Sequence, residues 1–203
     1  MFIELTDHLR CPADHPESFL VLLPSSVVER SVQVGELGCP VCHRVYHIRG
    51  GVPDFGTPAP VVKTRKHDPL DGTGIAALLG LAGPGGFVGL VGGPASEWRE
   101  LAAHLPGVHL AAVNPPRGTQ EAAGLSVLRA TAIPFKAGSL RGIVLGAEVA
   151  EDEVWQSQAV RAVLPGLRAV GQGEVPEMEE IEILANAGGW WVGARKTGEE
   201  KRT

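Results

Sequence analysis

The sequence predicts an α/β protein, a doubly wound parallel sheet preceded by a small β-rich domain, and three observations carry that expectation. From Phe87 onward, short apolar runs alternate with amphipathic helical stripes. All of the cysteines fall within the first 42 residues. Between these blocks, TPAP followed by VVKTRKHDPLDGT shows neither a helical nor a strand-like apolar period. Residues 57–73 therefore read as a linker, 1–56 as a first domain and 74–203 as a second.

Composition narrows the classes. The 203 residues are 44% hydrophobic and 20% charged, too apolar for a disordered chain. Residues 1–56 carry 4 basic and 7 acidic side chains and residues 74–203 carry 11 and 14. Neither block has the clustered Lys and Arg that phosphate neutralisation requires, so no direct nucleic-acid binding is expected. Lys63, Arg65 and Lys66 form a basic knot, but inside the linker, where a solvated run is the plain reading. The opening MFIELTDHLR has acids where a signal peptide would have a basic start. The uncharged run from Gly72 to Ser96 is long enough to span a bilayer, yet Gly83-Pro84-Gly85-Gly86 splits it into a short helix and a strand. A soluble cytoplasmic protein, with no membrane partner, is expected.

Taken in order, FLVLLP and VVERSVQVGEL read as strands around a hairpin, with the cysteines outside them. A helix is expected over Ile75–Leu81 and a buried strand over Phe87–Val91. In residues 96–105, Trp98, Leu101, Ala102 and Leu105 fall on one helical stripe. Apolar strands follow at 108–113, 126–130 and 142–147. Residues 151–164 repeat the helical stripe through Trp155, Ala159, Ala162 and Val163, with Pro165-Gly166 as the stop. A strand at 167–171, a helix at 177–187 and a last strand at 189–194 complete the reading. Continuous apolar strands alternating with helices imply a parallel sheet covered on both faces.

The cysteines are spaced C-x27-C-x2-C, as Cys11 and then Cys39-Pro40-Val41-Cys42. A Cys-Pro-x-Cys turn aims two thiolates at one centre and offers backbone N–H groups to the sulfurs, which is half of a tetrahedral zinc site. Cys11-Pro12-Ala13-Asp14-His15 repeats Cys39-Pro40-Val41-Cys42-His43 except that Asp14 replaces the fourth cysteine. Imidazole suits zinc beside thiolates better than a lone carboxylate does, which favours Cys11, His15, Cys39 and Cys42, with Asp14 as the second candidate and three metal-free cysteines as the third reading. His43 and His47 read as surface histidines.

LTDHLRCPADH and GCPVCHRVYHIRGGVPDF resemble the small zinc-binding activator subunit of tRNA and protein methyltransferases, through Cys39, Pro40, Cys42, Tyr46, Ile48, Gly51, Val52 and Pro53. The resemblance covers about the first 56 residues and implies a zinc-ribbon-like domain. Its relatives bind a methyltransferase in eukaryotes and are often fused in front of one in bacteria, which implies a protein partner.

From Gly85 to Glu174 the chain resembles class I S-adenosylmethionine-dependent methyltransferases, and so a Rossmann-like sheet. FVGLVGGPASEW supplies a Gly-rich turn with Gly92, Gly93, Ala95 and Ser96, whose small residues let backbone approach a cofactor. IPFKAGSLRGIVL is similar to the family's Leu-Pro-Phe segment and VRAVLPGLRAVGQG to its Leu-x-Pro-Gly-Gly turn. The resemblance implies S-adenosylmethionine as cofactor, at Gly92, Gly93, Asn114 and Thr131.

The departures are chemical. The acid that ends the family's first strand is replaced by Gly89 or Leu90, the ribose-binding acid by Asn114, and two further acids by Arg129 and Arg141. A charge-assisted hydrogen bond of the kind those acids accept is worth about 1.5–3 kcal/mol. The expectation is a methyltransferase-like protein with a degenerate cofactor site, or else a non-catalytic zinc-binding scaffold or partner subunit of another methyltransferase. Glu148, Glu151, Asp152 and Glu153 follow the fourth strand of the second block, where the resemblance implies substrate-facing groups; the preferred reading is that acids in a first helical turn offset the helix dipole. No catalytic residue is assigned.

Overall fold

The computed structural model describes residues 1–56 and 69–197. After a 3-10 turn at Ile3–His8 come β1 (Val21–Val28), β2 (Ser31–Gly38), β3 (Val45–Arg49) and β4 (Val52–Phe55). Next are α1 (Gly72–Leu79), β5 (Phe87–Val91), a 3-10 turn at Gly93–Glu97, α2 (Trp98–His104), β6 (His109–Val113) and β7 (Leu125–Ala130). β8 (Leu140–Leu145), α3 (Glu153–Ala162), β9 (Val163–Gln172), β10 (Ile181–Ala187) and β11 (Trp190–Arg195) complete the described chain. Among these residues no helix is long and apolar enough to cross a membrane.

The strands form one sheet in the order β1-β2-β3-β4-β7-β6-β5-β8-β9-β11-β10. β7-β6-β5-β8-β9 is the third-second-first-fourth-fifth order of doubly wound sheets, all parallel. At the far edge β11 runs antiparallel to both β9 and β10, so the sheet is mixed where a parallel one was expected.

β5 shows why these strands read as unbroken apolar runs, since all five of its residues are buried. Val88 and Leu90 face one side, against Ile75 and Leu79 of α1 and Leu101 of α2. Phe87 and Val91 face the other, against Trp155, Ala159 and Val160 of α3. That second face is also covered by Met1, Leu5 and Leu9, all fully buried. The opening residues are tied down by Leu9 bridging Phe135, by the Arg10 N–H donating to the Pro134 carbonyl at 2.9 Å, and by the Phe2 N–H donating to Ser126 Oγ at 2.9 Å. Phe2 stacks on His109 at 4.6 Å. Buried there, near the amino terminus, His109 has its basicity lowered to about 4.

The first block joins the same sheet. Asp54 and Phe55 of β4 pair in parallel with Arg129 and Ala130 of β7. Cys11, Leu37, Tyr46 and Ile48 belong to the same core as Phe87 and Val91. Most of the expected linker, 57–68, lies outside the described residues, and Gly72 and Thr73, expected at its end, form the first turn of α1. That turn starts there because the Asp71 carboxylate accepts the Gly74 N–H at 2.7 Å.

Two element assignments need correction. Residues 181–187, expected as helix, are strand β10. Gly188 and Gly189 both take positive φ, which makes a two-residue hairpin turn and pairs Ala187 with Trp190. The charges spaced through EMEEIEILANA imitate a helical stripe, but this is an edge strand with most of its side chains in solvent. The helix expected over 151–164 spans Glu153–Ala162, starting at Asp152, whose carboxylate caps the Val154 and Trp155 amides, and ending before Val163 enters β9.

Candidate metal centre and cofactor cleft

The loop after Leu9 carries Cys11 and His15, and the turn from β2 to β3 carries Cys39 and Cys42. The ligand atoms of these four residues all lie within 4.8 Å of one another. Cys11 Sγ stands 3.7 Å from Cys42 Sγ, and Cys39 Sγ 3.4 Å from His15 Nε2. Tetrahedral bonds of about 2.3 Å to sulfur and about 2.0 Å to nitrogen place two sulfurs about 3.8 Å apart and sulfur and nitrogen about 3.5 Å apart. The donor set and these two edges fit one zinc ion. Asp14 is exposed and stands outside the group of four.

Neighbouring groups prepare His15 and Cys39 as ligands. His15 Nδ1 lies 2.7 Å from the Pro16 carbonyl, which can only accept, so Nδ1 carries the proton and Nε2 turns its lone pair toward Cys39. Burial opposes ionisation of Cys39, but the Cys42 and Val41 amides donate to its sulfur and lower the thiol to about 6. At Cys11 burial prevails and pushes the thiol up, although the Tyr46 hydroxyl lies 3.2 Å from its sulfur. His43 is exposed and His47 pairs with Glu36 at the surface.

The second site lies where the order of the parallel sheet reverses, between the carboxyl ends of β5 and β8, the usual place for a ligand in such folds. Gly92 is buried with φ 70° and ψ −133°, a conformation open essentially to glycine, and its N–H donates to the Val113 carbonyl at 3.0 Å. Gly93 donates its N–H to Glu148 Oε2 at 3.3 Å. Asn114, directly after β6, has φ 50° and uses both ends of its amide on one residue of β7. Its Nδ2 donates to the Ala130 carbonyl at 2.7 Å, and its Oδ1 accepts the Ala130 N–H at 2.9 Å. The side chain thus adds a rung to the β6–β7 ladder. Thr131 is exposed, with its methyl near Gly56.

The turn, Asn114 and Thr131 all follow the carboxyl ends of parallel strands. Arg141, read as replacing an acid of the cofactor site, lies instead at the amino end of β8, where its guanidinium donates to the carbonyls of Ala82, Gly83, Pro84 and Gly85. The Asn114 amide is thus held by the backbone of Ala130, and the Glu148 carboxylate stands at the glycine turn. Sequence reasoning named Glu148 only as one of the acids after β8 and did not place its carboxylate at the glycine turn. It also missed a groove of about 650 Å³ lined by Glu151, Glu153, Glu174, Glu177, Glu180 and Met178, which brings the acids after β8 together with those after β9.

No family model matches the sequence, and no curated protein matches it. Among solved structures, the chain is similar to a chain of the complex between the Haloferax volcanii Trm112 methyltransferase activator and a methyltransferase (18% identity, 48% of this chain and 50% of that one, TM-score 0.40). It is also similar to Haemonchus contortus phosphoethanolamine N-methyltransferase 2 in complex with S-adenosyl-L-methionine (14%, 53% and 30%, TM-score 0.40). A third is the precorrin-6y C5,15-methyltransferase of Geobacter metallireducens (13%, 70% and 94%, TM-score 0.43). The chain spans half or less of the length of the first two.

Proposed function

We propose that this chain is a methyltransferase-like protein in which a structural zinc knuckle is joined to a doubly wound sheet whose S-adenosylmethionine site has been given over to internal contacts. The observation that carries the reading is the commitment of Asn114 to Ala130. A carboxylate in that place would accept two ribose hydroxyls, whereas this amide has one N–H and its oxygen already held by the backbone of Ala130 and, being neutral, makes no charge-assisted pair. Cys11, His15, Cys39 and Cys42 would hold the zinc, which stabilises the three thiolates together and links the loop after Leu9 to the β2–β3 turn.

Calorimetric titration with S-adenosylhomocysteine tests this reading. A Kd weaker than about 100 µM is expected, and one near 1 µM would overturn it, a difference of roughly 3 kcal/mol. A second reading, a scaffold or partner subunit, draws support from β1. Among the described residues that strand ends the sheet, with Val21, Leu23, Val27 and Val28 exposed along it, a surface suited to another protein. On that reading the titration gives no heat at any concentration.

A further inference from the structure

Three glycines meet at the carboxyl ends of β5 and β8, and the space they leave is filled by the chain itself. A Cβ on Gly92 would stand 2.7 Å from Glu148 Oε2, and one on Gly146 would stand 2.5 Å from the same atom. One on Gly93 would lie 3.5 Å from Oε1. Glycines placed this way let something come close to the backbone, and here that something is a carboxylate.

Glu148 is held in place by its local fold. The Gly146 N–H donates to the Val91 carbonyl at 2.9 Å, which fixes the exit of β8 beside the end of β5. The Val149 and Ala150 amides both return to the Gly146 carbonyl, at 3.1 and 3.0 Å, and both side chains are buried. The turn they make projects residue 148 back over the glycines, and the Gly93 N–H completes the arrangement.

We propose that Glu148 is a built-in occupant of the cofactor notch, so that a ligand has to displace this carboxylate before it can touch the Gly92–Gly93 turn. The inference rests on reading the cleft as a remnant S-adenosylmethionine site. Obstruction has two parts. The carboxylate takes up the volume beside the glycines, and as an anion it accepts the Gly93 N–H more strongly than a neutral amide would, which holds it there.

The test is calorimetric titration of S-adenosylhomocysteine into the full chain with its metal, as wild type, Glu148→Ala and Glu148→Gln, each checked for an unchanged thermal transition. Glu148→Ala is expected to tighten binding at least tenfold. Glu148→Gln keeps the bulk and removes the charge, so it should fall between the two. It also carries the test if the alanine variant does not fold, since binding tighter than wild type upholds the proposal and equal or weaker binding overturns it. Equal binding by wild type and Glu148→Ala, including silence from both, overturns the proposal while leaving the degenerate-site reading intact. Weaker binding by Glu148→Ala overturns it in the opposite sense, by making the carboxylate a ligand contact. Tight binding by the wild type, near 1 µM, removes both readings together.

Discussion

At the Cys11–His15–Cys39–Cys42 cluster the chain brings four donor atoms around one point, with spacings that suit an ion. At the Gly92–Gly93 turn it brings in its own groups, Glu148 onto Gly93 and Asn114 onto Ala130. On the proposed reading the first arrangement is completed by an ion from outside, whereas the second meets its polar groups internally. Two sites on one sheet can therefore keep the local geometry of a ligand site while differing in whether they still need the ligand. The difference lies in where the surrounding polar groups point.

The largest expected effect falls on the cluster. Purified protein should carry about one equivalent of zinc, and Cys39→Ser should release it and unfold the turn it anchors, because structural zinc contributes its binding energy to folding. His15→Ala should weaken retention and Asp14→Ala should leave it unchanged, since only His15 stands in the group of four. Elemental analysis decides this. Less than a tenth of an equivalent in unchelated wild-type protein would remove the metal from this side of the comparison.

A second substitution asks whether the two regions are separate at all. Leu9 is fully buried and bridges Phe135, two residues before the first cysteine. Leu9→Ala should cost about 2–5 kcal/mol, the usual range for a buried leucine truncated to alanine. Because one core holds both Tyr46 and Phe87, the destabilisation should appear as a single denaturant transition moved to lower concentration. Two resolved transitions, with only one of them moved, would break the picture of a shared core and restore two independent domains.

How much of this was legible in the sequence follows from how local each feature is. The central strands could be read because strands buried on both faces are apolar, as at Phe87–Val91 and, after His109, in the rest of His109–Val113. The Cys11–His15–Cys39–Cys42 cluster could be read because each pair sits in one turn, and its spacing is its geometry. β10 was misread because, on an exposed edge, no buried face constrains the pattern, and the better signal was the Gly188-Gly189 turn beside it. Met1, Leu5 and Leu9 recur every four residues, but in so short a segment, here a 3-10 turn, that spacing does not say which surface they cover. The contents of the cleft were the least legible. A glycine turn states that something approaches closely, but residue 148 filling it and residue 114 reaching residue 130 are decided by tertiary structure.

The smallest expected effect is also the one that bears most directly on the cleft. If Asn114 is a structural rung, Asn114→Asp removes the Nδ2 donor to the Ala130 carbonyl and sets a carboxylate oxygen against that carbonyl in its place. The cost should be about 1–3 kcal/mol, the range for a part-buried acceptor left without its donor. Its pH dependence has a definite sign. The ionised form faces a carbonyl oxygen, so the new carboxyl should have a folded-state pKa above its unfolded value of about 3.9. The destabilisation is then fully developed at neutral pH and shrinks as pH falls through the raised folded-state value, where the protonated acid can again donate to Ala130. Urea denaturation of wild type and variant at pH 7 and near pH 4 measures both parts. If the variant is instead as stable as wild type at pH 7 and gains affinity for S-adenosylhomocysteine, the asparagine was a spare ribose contact, and the cleft belongs with the metal centre as a site awaiting its ligand.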